Sequence, residues 1–172
     1  MTSRSGARST LETDKKNKPK KRRKKRNLST RKSIIKRLDK LCSQYIRIKY
    51  VRPDGLVPCC TCNKAYPPEK MQCGHFMSRR YNNTRFHPTN ISPQCRGCNM
   101  FAEGRQWLMG RWLDKEHGAG TAEDMYNLSR STNKLSMQDL HELEREYEQR
   151  TREIITEDKQ SLIPNRWHAD VQ

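Results

Sequence analysis

Cys59-Cys60-Thr61-Cys62 and Gln94-Cys95-Arg96-Gly97-Cys98-Asn99 are the stretches that decide how this chain folds. Each carries a Cys-x-x-Cys pair, and 32 residues separate Cys62 from Cys95. Paired thiolates at this spacing close a tetrahedral zinc site. A plain zinc ribbon places about 15–20 residues between its pairs. The longer interval leaves room for a β-hairpin, and it contains Gly74-His75-Phe76 and Asn90. A histidine on that hairpin can stand across the site from Asn99, which directly follows the last cysteine. The pattern reads as a zinc-stapled catalytic motif, with Cys59, Cys62, Cys95 and Cys98 holding a structural Zn2+. Cys73 is the competing fourth ligand. Cys60 sits inside the knuckle, facing away from the metal, and Cys42 lies on an apolar helical stripe that marks it as core.

The rest of the chain agrees with a small stapled core and a polyanionic partner. It has 172 residues, 32% of them hydrophobic, and a net charge of +17. So little apolar material does not build a large core, and zinc is the natural staple. The charge is uneven, since residues 1–33 hold 14 Lys/Arg against 2 acids. Within them Lys15 to Arg26 includes the unbroken run Lys20, Lys21, Arg22, Arg23, Lys24, Lys25 and Arg26. Such a block repels itself, stays disordered alone and binds nucleic acid through salt-sensitive phosphate contacts. Arg79, Arg80 and Arg85 crowd the interval between the cysteine pairs and read as further contacts to a DNA backbone. No run of 18 apolar residues exists, so no membrane partner is expected. The basic N-terminus lacks the apolar core of a secretory signal. Seven cysteines without secretion argue for metal binding in a reducing compartment.

Four regions follow. Residues 1–28 form a disordered basic arm. Residues 29–49 form an amphipathic helix, capped by Ser29 or Thr30, with Ile34, Ile35, Leu38, Leu41, Tyr45 and Ile46 at helical spacing. Residues 50–117 form the core. There Pro53-Asp54-Gly55 turns between short strands at 48–51 and 56–58, residues 71–77 are extended, and 86–91 is the return segment. A helix starts after Cys98, weakens at Gly104 and resumes over 105–116 with Trp107, Leu108, Arg111 and Trp112 on one partly buried face. Residues 118–172 are helical. Thr121 with Asp124 and Ser136 with Asp139 resemble capping boxes, and Leu135 with Leu140 makes a staple. Leu140, Leu143, Tyr147 and Ile154 stripe a charged helix over 137–157 that docks on the domain or forms a dimer interface. Trp167 is the residue placed to dock in the tail.

The chemistry rests on His75 and Asn99. Histidine titrates near neutrality and suits a general base. A hard divalent ion takes oxygen ligands, and Asn99 offers an amide oxygen at a helix start fixed by zinc. Together, Gly74-His75-Phe76, Arg85-Phe86, Asn90-Ile91, Gln94-Cys95-x-x-Cys98-Asn99 and Gly104 resemble the phage NinG (Rap) recombination endonucleases. More broadly they resemble the zinc-bearing HNH, or ββα-metal, nucleases. The likeness covers roughly Leu56 to Arg111, with a basic arm of similar character. It implies an α+β fold, in which a small zinc-stapled ββα-metal core carries flanking α-helices and the disordered arm. It implies an endodeoxyribonuclease that hydrolyses phosphodiesters in branched recombination intermediates such as Holliday junctions and D-loops, in the cytoplasm of a bacterial host.

By the same resemblance His75 is the general base and Asn90 the middle asparagine that orients the hairpin. Asn99 replaces the third histidine as ligand to a catalytic Mg2+ or Mn2+. HNH nucleases often carry an aspartate directly before the base, whereas this chain has Gly74. Three replacements stay open: Glu103, four residues after Asn99; the Gln72 amide oxygen; or DNA phosphate with Asn99 and water. The missing aspartate also keeps open a zinc-stabilised DNA-binding accessory protein without catalysis. Symmetric resolution of a four-way junction calls for two sites, which makes a homodimer attractive.

Overall fold

The computed structural model describes residues 30–132 and 134–168. The basic arm with Lys20 to Arg26, the cap candidate Ser29 and the last four residues lie outside them. The described elements follow the order α1 (Arg31–Lys49), β1 (Val57–Pro58), β2 (Ala65–Tyr66), β3 (Met71–His75), α2 (Asn82–Arg85), β4 (Ile91–Cys95), α3 (Gln106–His117), α4 (Thr121–Arg130), α5 (Met137–Ile154), α6 (Glu157–Gln160) and α7 (Asn165–His168). This is a mixed architecture of helices around two small antiparallel pairs, β1 with β2 and β3 with β4.

Helical periodicity builds the main layer. The α1 stripe of Ile34, Leu38, Leu41, Cys42, Tyr45 and Ile46 is buried, and Thr30 caps the helix by accepting from the Ser33 N–H at 3.3 Å. Each aliphatic side chain fully removed from water there contributes about 1.5–3 kcal/mol. α5 begins with the expected capping box: the Asp139 N–H donates to Ser136 Oγ at 3.1 Å, and the Ser136 N–H donates to the Asp139 carboxylate at 2.6 Å. Leu140 and Tyr147 of α5 bury themselves against α1, with Tyr45 and Tyr147 edge to face at 5.5 Å. The Tyr147 hydroxyl donates to the Phe86 carbonyl at 2.7 Å, so α5 also holds the hairpin loop. Cys73, Phe86 and Ile91 join this core. A second core gathers Ile48, Val51, Val57, Met71, Ile163 and Trp167 around Cys59, Cys95 and Cys98. Trp167 docks there as expected, 4% exposed, beneath the Arg47 guanidinium at 4.3 Å.

Several expectations need correction. The stretch at 48–51 is not a strand, because α1 runs through Lys49 and β1 pairs instead with β2, Val57 opposite Tyr66. The return strand is β4, not 86–91; that segment is taken up by the turn that follows α2 and a 3-10 turn at Pro88–Asn90. Pro93 lies inside β4 opposite Cys73, and its carbonyl faces outward to accept from the Cys60 N–H at 2.9 Å. A two-stranded pair has an open edge that tolerates the missing N–H. On α3 the buried residues are Met109, Gly110 and Leu113, while Trp107 is 77% exposed. α4 is capped by Gly120, without the expected Thr121–Asp124 box; the Thr121 hydroxyl donates back to the Gly118 carbonyl at 2.6 Å. α5 ends at Ile154 rather than 157.

Candidate active site

The cysteine knuckle forms because Asn63 takes a left-handed conformation, φ 59°, that asparagine tolerates. This lets the Asn63 N–H donate to the Cys59 carbonyl and the Cys59 N–H donate to the Lys64 carbonyl, both at 2.9 Å. The register of β3 and β4 then carries Cys95 to the knuckle. The sulfurs of Cys59, Cys62, Cys95 and Cys98 lie within 4.8 Å of one another, with Cys62 and Cys95 3.8 Å apart. Zn–S bonds of about 2.3 Å set tetrahedral thiolates about 3.8 Å apart, so the quartet fits a structural zinc. Burial pushes the Cys59 thiol up, but hydrogen bonds from the Thr61 hydroxyl and from the N–H groups of Cys95, Thr61 and Cys62 outweigh it and hold it at about 6. The Cys62 and Cys95 thiols are pushed up instead, by burial and by the neighbouring sulfurs, a repulsion that a cation among them would relieve. Cys73 is excluded: it is buried beside Cys42, its thiol pushed up to about 12 by burial.

His75 ends β3. It lines a cavity of about 610 Å³ together with Gln72, Arg79, Asn99, Glu103 and Gly104. Its Nε2 lies 3.1 Å from the Arg85 carbonyl. A carbonyl only accepts, so Nε2 carries the proton and Nδ1 is the basic nitrogen. Burial, and then the Arg79 charge, lower its pKa to about 4 against the smaller opposing pull of the Arg85 and Cys73 backbone. The imidazole is therefore neutral at pH 7.

Asn90 does not reach this cavity. It is fully buried and clamps the hairpin loop, its Oδ1 accepting from the Met77 N–H at 2.7 Å. Its Nδ2 donates to the carbonyls of Met77 at 3.0 Å and Thr84 at 2.9 Å. The loop so fixed carries the Arg85 carbonyl that orients His75, which makes Asn90 a positioning residue.

Asn99 stands on a π-helical turn, Gly97–Phe101. Its Nδ2 donates to Gln72 Oε1 at 2.8 Å, leaving Oδ1 as the atom for a cation. Gln72 thus orients Asn99 rather than competing with it. Glu103 arrives by a different route from the single helical turn the sequence suggested. Glu103, Gly104 and Arg105 have φ of 49°, 77° and 46°, and this left-handed bend swings Glu103 onto the cavity that Asn99 lines. Two hard oxygen donors on one cavity suit a divalent ion such as magnesium.

The strand position before His75 has no room for a side chain while Gln94 stays in place. A Cβ on Gly74 would lie 2.3 Å from Gln94 Oε1. Gln94 stands two residues along the facing strand from Ser92, the partner of Gly74, and is fully buried. Its Nε2 donates to the Gly104 carbonyl at 2.6 Å, while Oε1 has no hydrogen-bond partner among the described residues. Gln94 therefore fills the space over Gly74 and props the bend that presents Glu103. Spacing gave no sign of it, because the contact spans the hairpin.

The family model described as Bacteriophage Lambda NinG protein matches residues 2–157. The chain belongs to the NinG family. Neither a curated protein nor a solved structure matches it. Within this NinG chain the three candidate DNA-contacting arginines separate. Arg79 and Arg80 are exposed, and Arg79 lines the His75 cavity. Arg85 is engaged inside the fold: its Nε and Nη2 donate to Asp39 at 3.1 and 2.7 Å, and Nη1 to the Arg79 carbonyl at 3.2 Å. His87 caps the turn before β4 by accepting from the Thr89 N–H at 3.3 Å. No helix among the described residues is long and apolar enough to cross a membrane.

Proposed function

We propose that this NinG-family chain is a divalent-metal-dependent endonuclease of the HNH type that hydrolyses phosphodiesters in branched DNA, including Holliday junctions and D-loops. The convergence of His75, Asn99 and Glu103 on one cavity beside the four-cysteine cluster carries the reading. The succession of β3, β4 and the helical turn around Cys98 supports the reading, since a nuclease of this type is built on two strands and a helix. Nδ1 of His75 takes the proton of the attacking water as the new P–O bond forms and the bond to the leaving oxygen breaks. An approaching phosphate anion raises the basicity of Nδ1 towards what this transfer needs. Asn99 Oδ1 and the Glu103 carboxylate would hold Mg2+ or Mn2+, which when bound would supply charge stabilisation at the phosphate and the leaving oxygen. Arg79 and Arg80 hold the DNA backbone, joined by the basic arm.

The second reading is a zinc-stabilised DNA-binding accessory protein. It draws on Gly74, which leaves β3 with no carboxylate. Incubation of the protein with labelled linear, flapped and four-way DNA, in magnesium, manganese or EDTA, separates the two. Cleavage of branched DNA with a divalent ion, reduced about 100- to 10,000-fold in His75→Ala, is the expected result. Binding without cleavage in every ion would select the accessory reading. Cleavage at the wild-type rate in His75→Ala would refute the site.

A further inference from the structure

A second surface adjoins His75, and of its four side chains only Arg80 already has a role, as a contact to the DNA backbone. Asn83 anchors α4 to the hairpin loop, its Nδ2 donating to the carbonyl and hydroxyl of Ser131, each at 2.6 Å. This sets Tyr126 and Arg130 of α4 opposite Arg80 and Tyr81 of the loop. The Arg130 guanidinium lies 4.8 Å from the Tyr126 ring centre and 5.7 Å from that of Tyr81. Arg80 lies 5.0 Å from the Tyr81 ring centre. Tyr126 is 47% exposed, and both arginines are exposed with no carboxylate partner among the described residues. These four side chains line a cavity of about 370 Å³ that shares His75, Ser78, Glu103 and Gly104 with the larger one.

Flat rings interleaved with guanidinium groups that have no carboxylate partner are the surface on which nucleic-acid bases stack. Base pairs within a duplex already stack on both faces, so only an unpaired nucleotide has a face to offer. We infer that Arg80, Tyr81, Tyr126 and Arg130 form a stacking subsite for one unpaired nucleotide next to the phosphate beside His75. This rests on the reading that the chain acts on DNA. It gives that reading a source of selectivity, because flaps and the displaced strand of a D-loop present such nucleotides and continuous duplex does not. The cations accept the flanking phosphates, and the rings accept the base irrespective of its identity.

The test is binding in EDTA, where cleavage plays no part. Anisotropy is read with fluorescent duplex and flapped DNA, and 2-aminopurine at the first unpaired position reports stacking. Wild-type protein should bind the flap more tightly and quench 2-aminopurine. The pair Tyr81→Ala/Tyr126→Ala should lose about 10- to 100-fold on the flap and little on duplex, and should abolish quenching. The pair Tyr81→Phe/Tyr126→Phe should keep both. Thermal melting tracks folding; if the alanine pair unfolds, Tyr126→Ala alone, on the open face of α4, reads the same quantities. Equal losses on duplex and flap, or unquenched 2-aminopurine with wild-type protein, would overturn the subsite and leave the nuclease reading standing. Stacking with no cleavage in any divalent ion would leave the subsite and remove the nuclease. Absence of DNA binding would remove both.

Discussion

At the scale of single residues, His75 and Gly74 have opposite demands. His75 needs a neutral ring, and burial supplies it by lowering the pKa from its ordinary 6.5 to about 4. Between those values the unfolded chain binds a proton that the folded chain refuses. Its contribution to stability is therefore complete above about pH 6.5 and is lost as pH falls towards 4. His87, lowered by burial and then by Arg150, acts in the same direction. Melting curves from pH 7 to 4 should show a shallower decline for His75→Gln than for the parent, the difference isolating this ring from His87 and the cysteines. Gly74 needs an absent side chain. Gly74→Ala drives a methyl group into Gln94 Oε1 and must displace its bond to Gly104. A loss of about 1–3 kcal/mol in urea denaturation is expected. The same change in a Gln94→Ala background should cost clearly less, because the two residues act through one contact. Additive costs would show that the crowding is relieved elsewhere.

At the scale of elements, what the sequence made legible is what local periodicity and spacing encode. α1 was readable from Ile34 to Ile46, the start of α5 from Ser136 and Asp139, and the zinc quartet from two Cys-x-x-Cys pairs. That His75 and Asn99 line one cavity follows from the pairing of β3 with β4, which ends at Cys95. Elements set by contacts between distant residues were not. Arg85 looked like a phosphate contact because its partner Asp39 lies 46 positions earlier, on α1. The exposed Trp107 looked half-buried because apolar residues on α3 fit more than one face, and the packing of Phe76 against Gly110 selects the face with Met109 and Leu113. The left-handed bend at Glu103 has a readable trigger in Gly104, but its direction depends on the buried Gln94. The zinc elements carry their own prediction. Cys59, Cys95 and Cys98 are part of the second core, so metal loss removes ligands and packing at once. Cys95→Ser should lose its zinc by elemental analysis and unfold or aggregate the hairpin, whereas Cys73→Ser should retain zinc. Folded, zinc-free wild-type protein would contradict the assignment.

At the scale of the whole molecule, charge and fold divide the labour. The net charge of +17 is uneven, since residues 1–29, which lie outside the described residues, hold 12 Lys/Arg against 2 acids. Deleting residues 1–28 should weaken binding to every DNA shape and flatten its dependence on salt, since every phosphate the arm no longer neutralises keeps its counterion. Cleavage at high protein concentration should survive, because His75, Asn99 and Glu103 are held by other parts of the chain. An unchanged salt slope would assign the arm to something other than DNA. Shape preference, by contrast, should persist in the truncated protein, because the tyrosines that provide it stand on α4 and the hairpin loop.

The contact between Gly74 and Gln94 also constrains how this lineage can diverge. A side chain at the first position meets the Gln94 side chain at the second, which must then shift. An aspartate placed before the histidine therefore requires the Gln94 side chain to move or to be shortened. Either change gives up the prop under Gly104, on which the presentation of Glu103 rests. Three positions separated by 20 and 9 places in the chain are thus mechanically linked through one side chain.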